Sequence, residues 1–531
     1  MSSNNTLQQP KHSISQILSL FNYLKLFFNY QSHLFYTTYK RHSSFIKFFS
    51  LRLPLFTCIY LLLYANNAIA LSAMTNQVIH GSAPYLTLDG GITKTESLEE
   101  LLGITLSNNK SYIPQGVSKR LYPNGIIDFS SEINPIELPN KTDTFESVQT
   151  IVPMANYPRI DLAELVGKPY NYGKDDDDDE HLSATGSLTI KWQNRKGEDI
   201  TAEVKAYPNK LLNICDSPYK ITLASTHGNL STQYGIPNTS PLFGASHSYY
   251  IKPKIDNPIV CFAQPNLYKQ AGDELATHWV RNKGFTVQPF TRPTNNFPTT
   301  GANKLFFYLL LGGITPERVI AVNGKTVRGT GTGIILKLSE VTTQNWDGRY
   351  PDIDKALKIE LIGPNQLSLN TNFTPSEFKL YSDRIGGHLL YNFKIERWYI
   401  ARPGGVNYTN AQKFCRDLGN GYRVPDINDY TNAIRSDTDF SWTGGIPGRD
   451  INHYQRRLSY RDGNRWIGGI FNEWGFTFSG INNYPGTDWD NYNYWAFQSR
   501  GNHQYNVDSY NGLINYNYPS NANGRAACVK P

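Results

Sequence analysis

The chain has 531 residues, with 51 Lys and Arg against 44 Asp and Glu, a formal charge of +7 and an aromatic share of 13%. Six of the basic residues (Lys11, Lys25, Lys40, Arg41, Lys47 and Arg52) fall within the first 70 positions, where no acidic residue occurs, so 45 basic and 44 acidic residues remain beyond them. That near-neutral remainder gives no support to a nucleic-acid partner, which needs a Lys/Arg-rich face.

The first element in chain order is "KRHSSFIKFFSLRLPLFTCIYLLLYANNAIALSAM", with a basic lead, an apolar run from Leu53 to Tyr64 and a small-x-small ending at Ala68-Ile69-Ala70. This pattern predicts a secretory signal over residues 1–70, cut after Ala70. The apolar run of about a dozen residues is shorter than the roughly 20 of a spanning helix. The upstream "ISQILSLFNYLKLFFNY" is also apolar and leaves an uncleaved anchor as the alternative. Cysteine usage agrees with export. Cys58 leaves with the signal, and Cys215, Cys261, Cys415 and Cys528 remain. Four cysteines allow three pairings, and the gaps favour Cys215 with Cys261 and Cys415 with Cys528. Closing loops of roughly 50 and 110 residues contributes about 4 to 5 kcal/mol each in the chain-entropy model. The chain has no CxxC, HExxH or CxxC…HxxxH spacing on which a zinc or redox centre could rest.

Beyond the signal, the abundance of Tyr, Phe, Trp, Gly and Pro and the scarcity of Met predict a mainly β protein. Residues 71–184 read as a mixed, mostly β region. Within it, "TKTESLEELLGI" is one short helix, started by Thr93 ahead of Glu96 or by Ser97 ahead of Glu100 and stopped by Gly103. The run "KDDDDDEH", Asp175 to Glu180, is expected to be a solvated linker, since it lacks the Gly-turned spacing of a calcium loop. Residues 185–261 follow as a β-sandwich module, with "GSLTIKWQ", "ITAEVKAYP", "YKITLAST" and "SHSYYIKPK" as alternating strands. Residues 262–398 form a further immunoglobulin-like β module, in which Asn323-Gly324 reads as a two-residue hairpin turn. "GTGTG" lacks the Lys-Ser/Thr of a phosphate loop, and no helix follows it.

In residues 399–531, "NYTNAQKFCRDLGNG" predicts a helix capped by Thr409 that carries Cys415 on its buried face. "RVPDINDYTNAIRS" predicts a second helix capped by Asp426. "RWIGGIF", "WGFTFSG", "YWAFQS", "QYNVDSY", "GLINYNY" and "RAACVKP" are read as strands. Trp466, Ile467, Ile470 and Trp474 are expected to fill the core, with Gly468 and Gly469 admitting a close backbone neighbour.

Two helices, a Trp-Ile-Gly-Gly centre, a long loop rich in Asn, Asp and Trp, and a last strand bearing Cys528 together resemble the C-type-lectin-like domain. With "PYKITLASTHGNLSTQYGIP", "NKGFTVQPFTRPTNNFPTTGANK", "FKIERWYI", "NYWAF" and "ACVKP" in this order, residues 200–531 resemble the enterobacterial adhesion-domain proteins related to invasin and intimin. The resemblance implies tandem immunoglobulin-like β-sandwich modules followed by a C-terminal α+β lectin-like domain. It also implies an exported adhesin, secreted or surface-exposed, that is extracellular or at the outer cell surface of a Gram-negative bacterium and binds a host-cell surface protein or glycan without enzymatic activity. The chain departs from the sugar-binding pattern, because Glu-Pro-Asn and Gln-Pro-Asp are absent and Trp489-Asp490-Asn491 stands where that pattern has Trp-Asn-Asp. A calcium-dependent lectin, with one weak site among Asn482, Asp488, Asp490 and Asn491, is thus an alternative, as is a secreted structural or enzymatic β protein.

The loop "GINNYPGTDWDNYNYW" is the expected ligand surface: Asn482, Tyr484, Asp488, Trp489, Asp490, Asn491, Tyr492 and Tyr494 combine aromatic contact area with polar groups. Internal packing of its rings is the competing reading. A second expectation is the basic insertion with Arg449, Arg456, Arg457, Arg461 and Arg465, weighed against a solvated loop balanced by Asp450 and Asp462. His453 and His503 have no nucleophile in a GxSxG-like setting, so catalysis has little to stand on.

Overall fold

The computed structural model describes residues 81–531 apart from 96, 118–121, 123, 178–180, 268–275, 344–354 and 449. The expected signal and Arg449 therefore lie outside the described residues. The described chain is mainly β, and among its residues no helix is long and apolar enough to cross a membrane.

Alternation builds the first body. In Ser187–Gln193, Leu188, Ile190 and Trp192 point inward while Lys191 faces solvent, so one face of the strand must be covered. This strand lies in a five-stranded sheet in the order Ile136–Glu137, Ser246–Lys252, Tyr219–Ser225, Ser187–Gln193, Arg159–Asp161. Trp192 is fully buried, with the Phe145 ring edge-on at 5.4 Å. A continuous core runs from Leu86 to Ile251. The boundary expected at residue 185 therefore falls inside one sheet, because strands from both sides of it are hydrogen-bonded neighbours.

The start of the acidic run is not a free linker either. Asp176 accepts a 2.8 Å hydrogen bond from the Tyr85 hydroxyl and pairs with Lys94, and Asp175 is buried. These contacts fasten the run to the strand pair Tyr85–Leu86 and Gly173–Lys174. The first short helix begins at the later of its two predicted starts: Leu98–Leu102 is capped by Ser97, whose side chain accepts from the Glu99 amide.

Two predicted β features are helical. "ITAEVKAYP" contains the helix Thr201–Ala206. Its apolar residues Ile200 and Val204 are four apart, a spacing that fits both a strand and a helix. The local polar groups decide: Asp199 accepts from the Thr201 amide, and the Thr201 hydroxyl accepts from the buried Trp192 amide. Asn323-Gly324 is the end of the helix Pro316–Asn323, not a hairpin turn. Thr315 caps the start and accepts from the Arg318 amide, Pro316 occupies the first turn, and Gly324 (φ +82°) takes the left-handed exit. The hairpin is built instead by "GTGTG", between the paired strands Thr326–Arg328 and Ile335–Thr342. At Gly333 (φ +89°) a Cβ would lie 2.1 Å from the Asn372 carbonyl oxygen.

The second body has a seven-stranded antiparallel sheet in the order Trp279–Val280, Gly284–Thr286, Ile259–Gln264, Phe306–Gly312, Lys355–Ile362, Ile335–Thr342, Thr326–Arg328. Every residue of Phe306–Gly312 is buried. Phe307 meets Phe393 of the ribbon Ser376–Tyr381/Leu389–Ile395 at 5.7 Å, and Phe306 meets Tyr484 of the terminal module at 5.2 Å. A single core extends from Val260 to Val529, so the second β unit and the terminal module do not separate at residue 398.

Polar contacts reinforce that union. The fully buried Glu473 carboxylate accepts from the Thr299 amide and hydroxyl, the Thr300 amide and hydroxyl, and the Ser459 amide, at 2.5 to 3.0 Å. Charge-assisted hydrogen bonds of this kind are the strong ones, and their donors have no water to fall back on. Glu473→Ala is therefore expected to lower stability by about 3 kcal/mol or more, measured by chemical denaturation followed through tryptophan fluorescence. Glu473→Gln should lose less, because its amide oxygen still accepts.

Candidate functional site

The terminal module opens with the strand Arg397–Arg402, which pairs in parallel with Thr300–Ala302 and antiparallel with Ala526–Lys530. The helix Tyr408–Asp417 is capped by Asn407, whose side chain accepts from the Asn410 amide, two residues before the expected Thr409. Cys415 on this helix is bonded to Cys528 on the last strand, with both residues buried. Cys215 is bonded to Cys261, so both sequence-derived pairings are present.

Asp426 caps the one-turn helix Ile427–Tyr430 through a reciprocal box with Asp429. Behind it lies a buried charge cluster. Arg397 pairs with Asp429 at 2.9 Å, donates to the Gly468 carbonyl and stacks 4.1 Å above the Trp466 ring, and Arg423 reaches the same carboxylate at 2.8 Å. Gly469 is required here because a Cβ would lie 1.7 Å from the Asp429 carbonyl oxygen. "RWIGGIF" is accordingly half strand, Arg465–Ile467, and half helix, with Ile470–Trp474 following. "WGFTFSG" forms no strand. Ile467, Ile470 and Trp474 are in the core as expected, whereas Trp466 is half-buried beneath Arg397 and Arg461.

The loop expected to bind ligand turns its largest rings inward. Tyr484 is 0% exposed, Trp489 1% and Tyr494 0%. The Tyr484 hydroxyl accepts from the Asn266 amide and donates to the Trp474 carbonyl. Trp489 packs against Phe471 and Tyr494, and the Tyr494 hydroxyl accepts from the Asp490 amide. This is a correction to the sequence reading, with a clear cause. The segment has no ladder to hold it until the strand Asn493–Arg500, so buried rings anchor its irregular backbone.

The carboxylates of this loop are also engaged. Asp490 accepts from Arg525 Nε and the Gly404 amide. Asp488 accepts from Gln366 Nε2 at 3.2 Å, while burial holds its carboxyl above the usual range. Among the described residues no group of three or more His, Cys, Asp or Glu could hold a metal ion. Asn482 and Asn491 are exposed, and Tyr492 is exposed beneath the Arg525 guanidinium at 4.4 Å. In the basic insertion, Arg456 is buried, donates to the Asn266 carbonyl and stacks on Trp279. Arg457 lies over Tyr460, Arg461 over Trp466, and Arg465 pairs with Asp462. Arg456 is thus withdrawn into the core, whereas Arg457 is half-buried and Arg461 and Arg465 are exposed.

An exposed aromatic surface forms elsewhere, on the sheet Asn493–Arg500, His503–Asp508, Ile514–Asn517. Tyr505 pairs with Tyr516, and Val507 with Ile514, so His503, Tyr505 and Val507 share a face with Ile514, Tyr516 and Tyr518. Val507, Ile514 and Tyr505 are covered, but Tyr516 is 37% exposed and Tyr518 57%. Phe440 stacks flat on Tyr516 at 3.4 Å, with Arg435 5.1 Å from that ring. His503 stands edge-on to Phe440 and Tyr516 and lies 4.4 Å from Tyr518. Arg500 pairs in register with His503 and donates to the Ser441 hydroxyl. Four rings thus line one strip of surface between two arginines. The signal that reveals it in the sequence is the alternation in "INYNY", which places two tyrosines on one face.

No family model matches the chain, and no curated protein matches it. Among solved structures it is similar to invasin, a bacterial integrin-binding protein, at 13% identity over 67% of this chain and 52% of that one, with a TM-score of 0.26. It is similar to an intimin mutant of EHEC O157:H7 at 12% identity, over 52% of this chain and 99% of that one, with a TM-score of 0.23. For the C-terminal 282-residue fragment of intimin in complex with the intimin-binding domain of its translocated receptor, the identity is 10%, the coverage 66% of this chain and 94% of that one, and the TM-score 0.24. The chain spans about half the length of the invasin it matches.

The opposite fates of the two aromatic groups are measurable. Trp489→Ala should cost about 3 to 5 kcal/mol of stability as a buried ring is lost. Tyr518→Ala should stay within about 0.5 kcal/mol of the parent in the same denaturation assay.

Proposed function

We propose that this chain is a receptor-binding adhesin of a bacterial surface, whose terminal lectin-like module makes contact through the strip formed by Phe440, His503, Tyr516 and Tyr518. The observation that carries the reading is the exposure of Tyr516 and Tyr518, packed against the half-buried rings of Phe440 and His503 on a sheet supported by the core. Tyr and Phe offer large contact area at low rotamer cost, and such rings dominate protein interfaces when they sit on a preorganised support. The order of motifs through residues 200–531 supports the same reading, as do two disulfides of the kind that oxidising compartments favour. In this reading the preceding β units act as a stalk of immunoglobulin-like modules, and the function is binding rather than catalysis. Export begins with the signal over residues 1–70. The partner is a protein or glycan of the host-cell surface.

A calcium-dependent mode finds less support, because Asp490 is engaged by Arg525 and Asp488 by Gln366. Binding of the full chain to cultured host cells should therefore persist in a chelator. The variant Tyr516→Ala/Tyr518→Ala should bind about thirtyfold more weakly or worse, since each lost ring at a contact centre removes on the order of 1 kcal/mol or more. It should remain folded, with a melting temperature lowered by only the few degrees that loss of the Phe440–Tyr516 stack costs. Undiminished binding by that variant would remove the strip from the site, and binding abolished by chelator would favour the calcium lectin instead.

A further inference from the structure

The two disulfides differ in their surroundings. Cys415 and Cys528 are sealed in the core of the terminal module. Cys215 and Cys261 are half-buried and line a cleft with Arg195, Lys196, Glu198, Asp216 and Lys283. Lys283 Nζ stands 3.6 Å from Asp216 and 5.7 Å from the Phe262 ring, so this cation is held beside both half-cystines.

The position of this bridge gives its chemistry a consequence. One hydrophobic core ends at Ile251 and the other begins at Val260, and neither cluster contains residues of the other body's sheet. The backbone crosses between them once, through "KPKIDNPI", residues 252–259. The Cys215–Cys261 bond crosses the same seam, joining the turn Ile214–Asp216 of the first body to the strand Ile259–Gln264 of the second.

Exchange requires a thiolate to approach a sulfur and a second thiolate to leave. Both are anions, and a cleft with three cations to two carboxylates favours each of them. We propose that Cys215–Cys261 is a reducible staple: a dithiol reductant opens it in the folded protein and frees the two bodies to pivot about residues 252–259. One thiolate of the reductant bonds to a cystine sulfur as the S–S bond breaks, and the other sulfur leaves as a thiolate and takes up a proton. The second thiol of the reductant then displaces the mixed disulfide. The protein ends with two thiols and the reductant ends as a disulfide.

The test is a titration of the native full chain with dithiothreitol in the absence of denaturant. Free thiols are trapped by iodoacetamide and located by peptide mass spectrometry. Cys215 and Cys261 should be labelled at reductant concentrations about tenfold or more below those that label Cys415 and Cys528. Over the same range the radius of gyration from small-angle scattering should rise, and limited proteolysis should begin to cut within residues 252–259, with near-ultraviolet dichroism unchanged. Cys215→Ser/Cys261→Ser should show the same scattering and cleavage without reductant. Simultaneous opening of both bridges, earlier opening of Cys415–Cys528, or labelled Cys215 and Cys261 with unaltered scattering and cleavage would each overturn the proposal.

Discussion

The burial of Glu473 is the constraint around which the second body is organised. A carboxylate with no solvent contact must find donors within the protein, and here four of its five come from Thr299 and Thr300, which precede it by more than 170 positions. The terminal module therefore cannot be completed without the preceding β unit. Asn266 repeats the arrangement: its side chain donates to the Phe476 carbonyl and Asn483, its amide donates to Tyr484, and its carbonyl accepts from Arg456. Sequence-distant polar groups thus fasten the terminal module to the β unit that precedes it.

This rigid junction bears on recognition. An aromatic strip contributes to affinity in proportion to how little must be ordered when a partner arrives. Here Val507, Ile514 and Tyr505 are held from beneath by the core, and the Tyr505 hydroxyl donates to the Ser441 carbonyl. The exposed rings of Tyr516 and Tyr518 continue that same strand face outward. Preorganisation and exposure meet on three short strands.

Much of the architecture was legible in the sequence because its signals were local or covalent. Both cystine pairings, the helix around Cys415, the capping by Asp426 and the last four strands of the terminal module follow from spacing and periodicity. The helices Thr201–Ala206 and Pro316–Asn323 were not legible as such, since short apolar spacings fit two periods and Asn-Gly ends helices as readily as it turns hairpins. The boundaries expected at residues 185 and 398 fall within a shared sheet and a shared core for a different reason: sheet membership and a common core depend on partners far away in the chain. The same holds for the loop aromatics. Whether Trp489 faces inward or outward is set by Phe471 and Tyr494 around it, and no property of the residue type decides that alone.

The pairing of Arg397–Arg402 with Ala526–Lys530 has a further implication for biogenesis. More than a hundred residues must be synthesised before the opening strand acquires that neighbour and Cys415 its sulfur partner. Any fragment stopping short of residue 526 presents an unpaired β edge beside a free thiol, the combination that invites intermolecular strand addition and crosslinking. Maturation of this module is thus coupled to arrival of the distal segment.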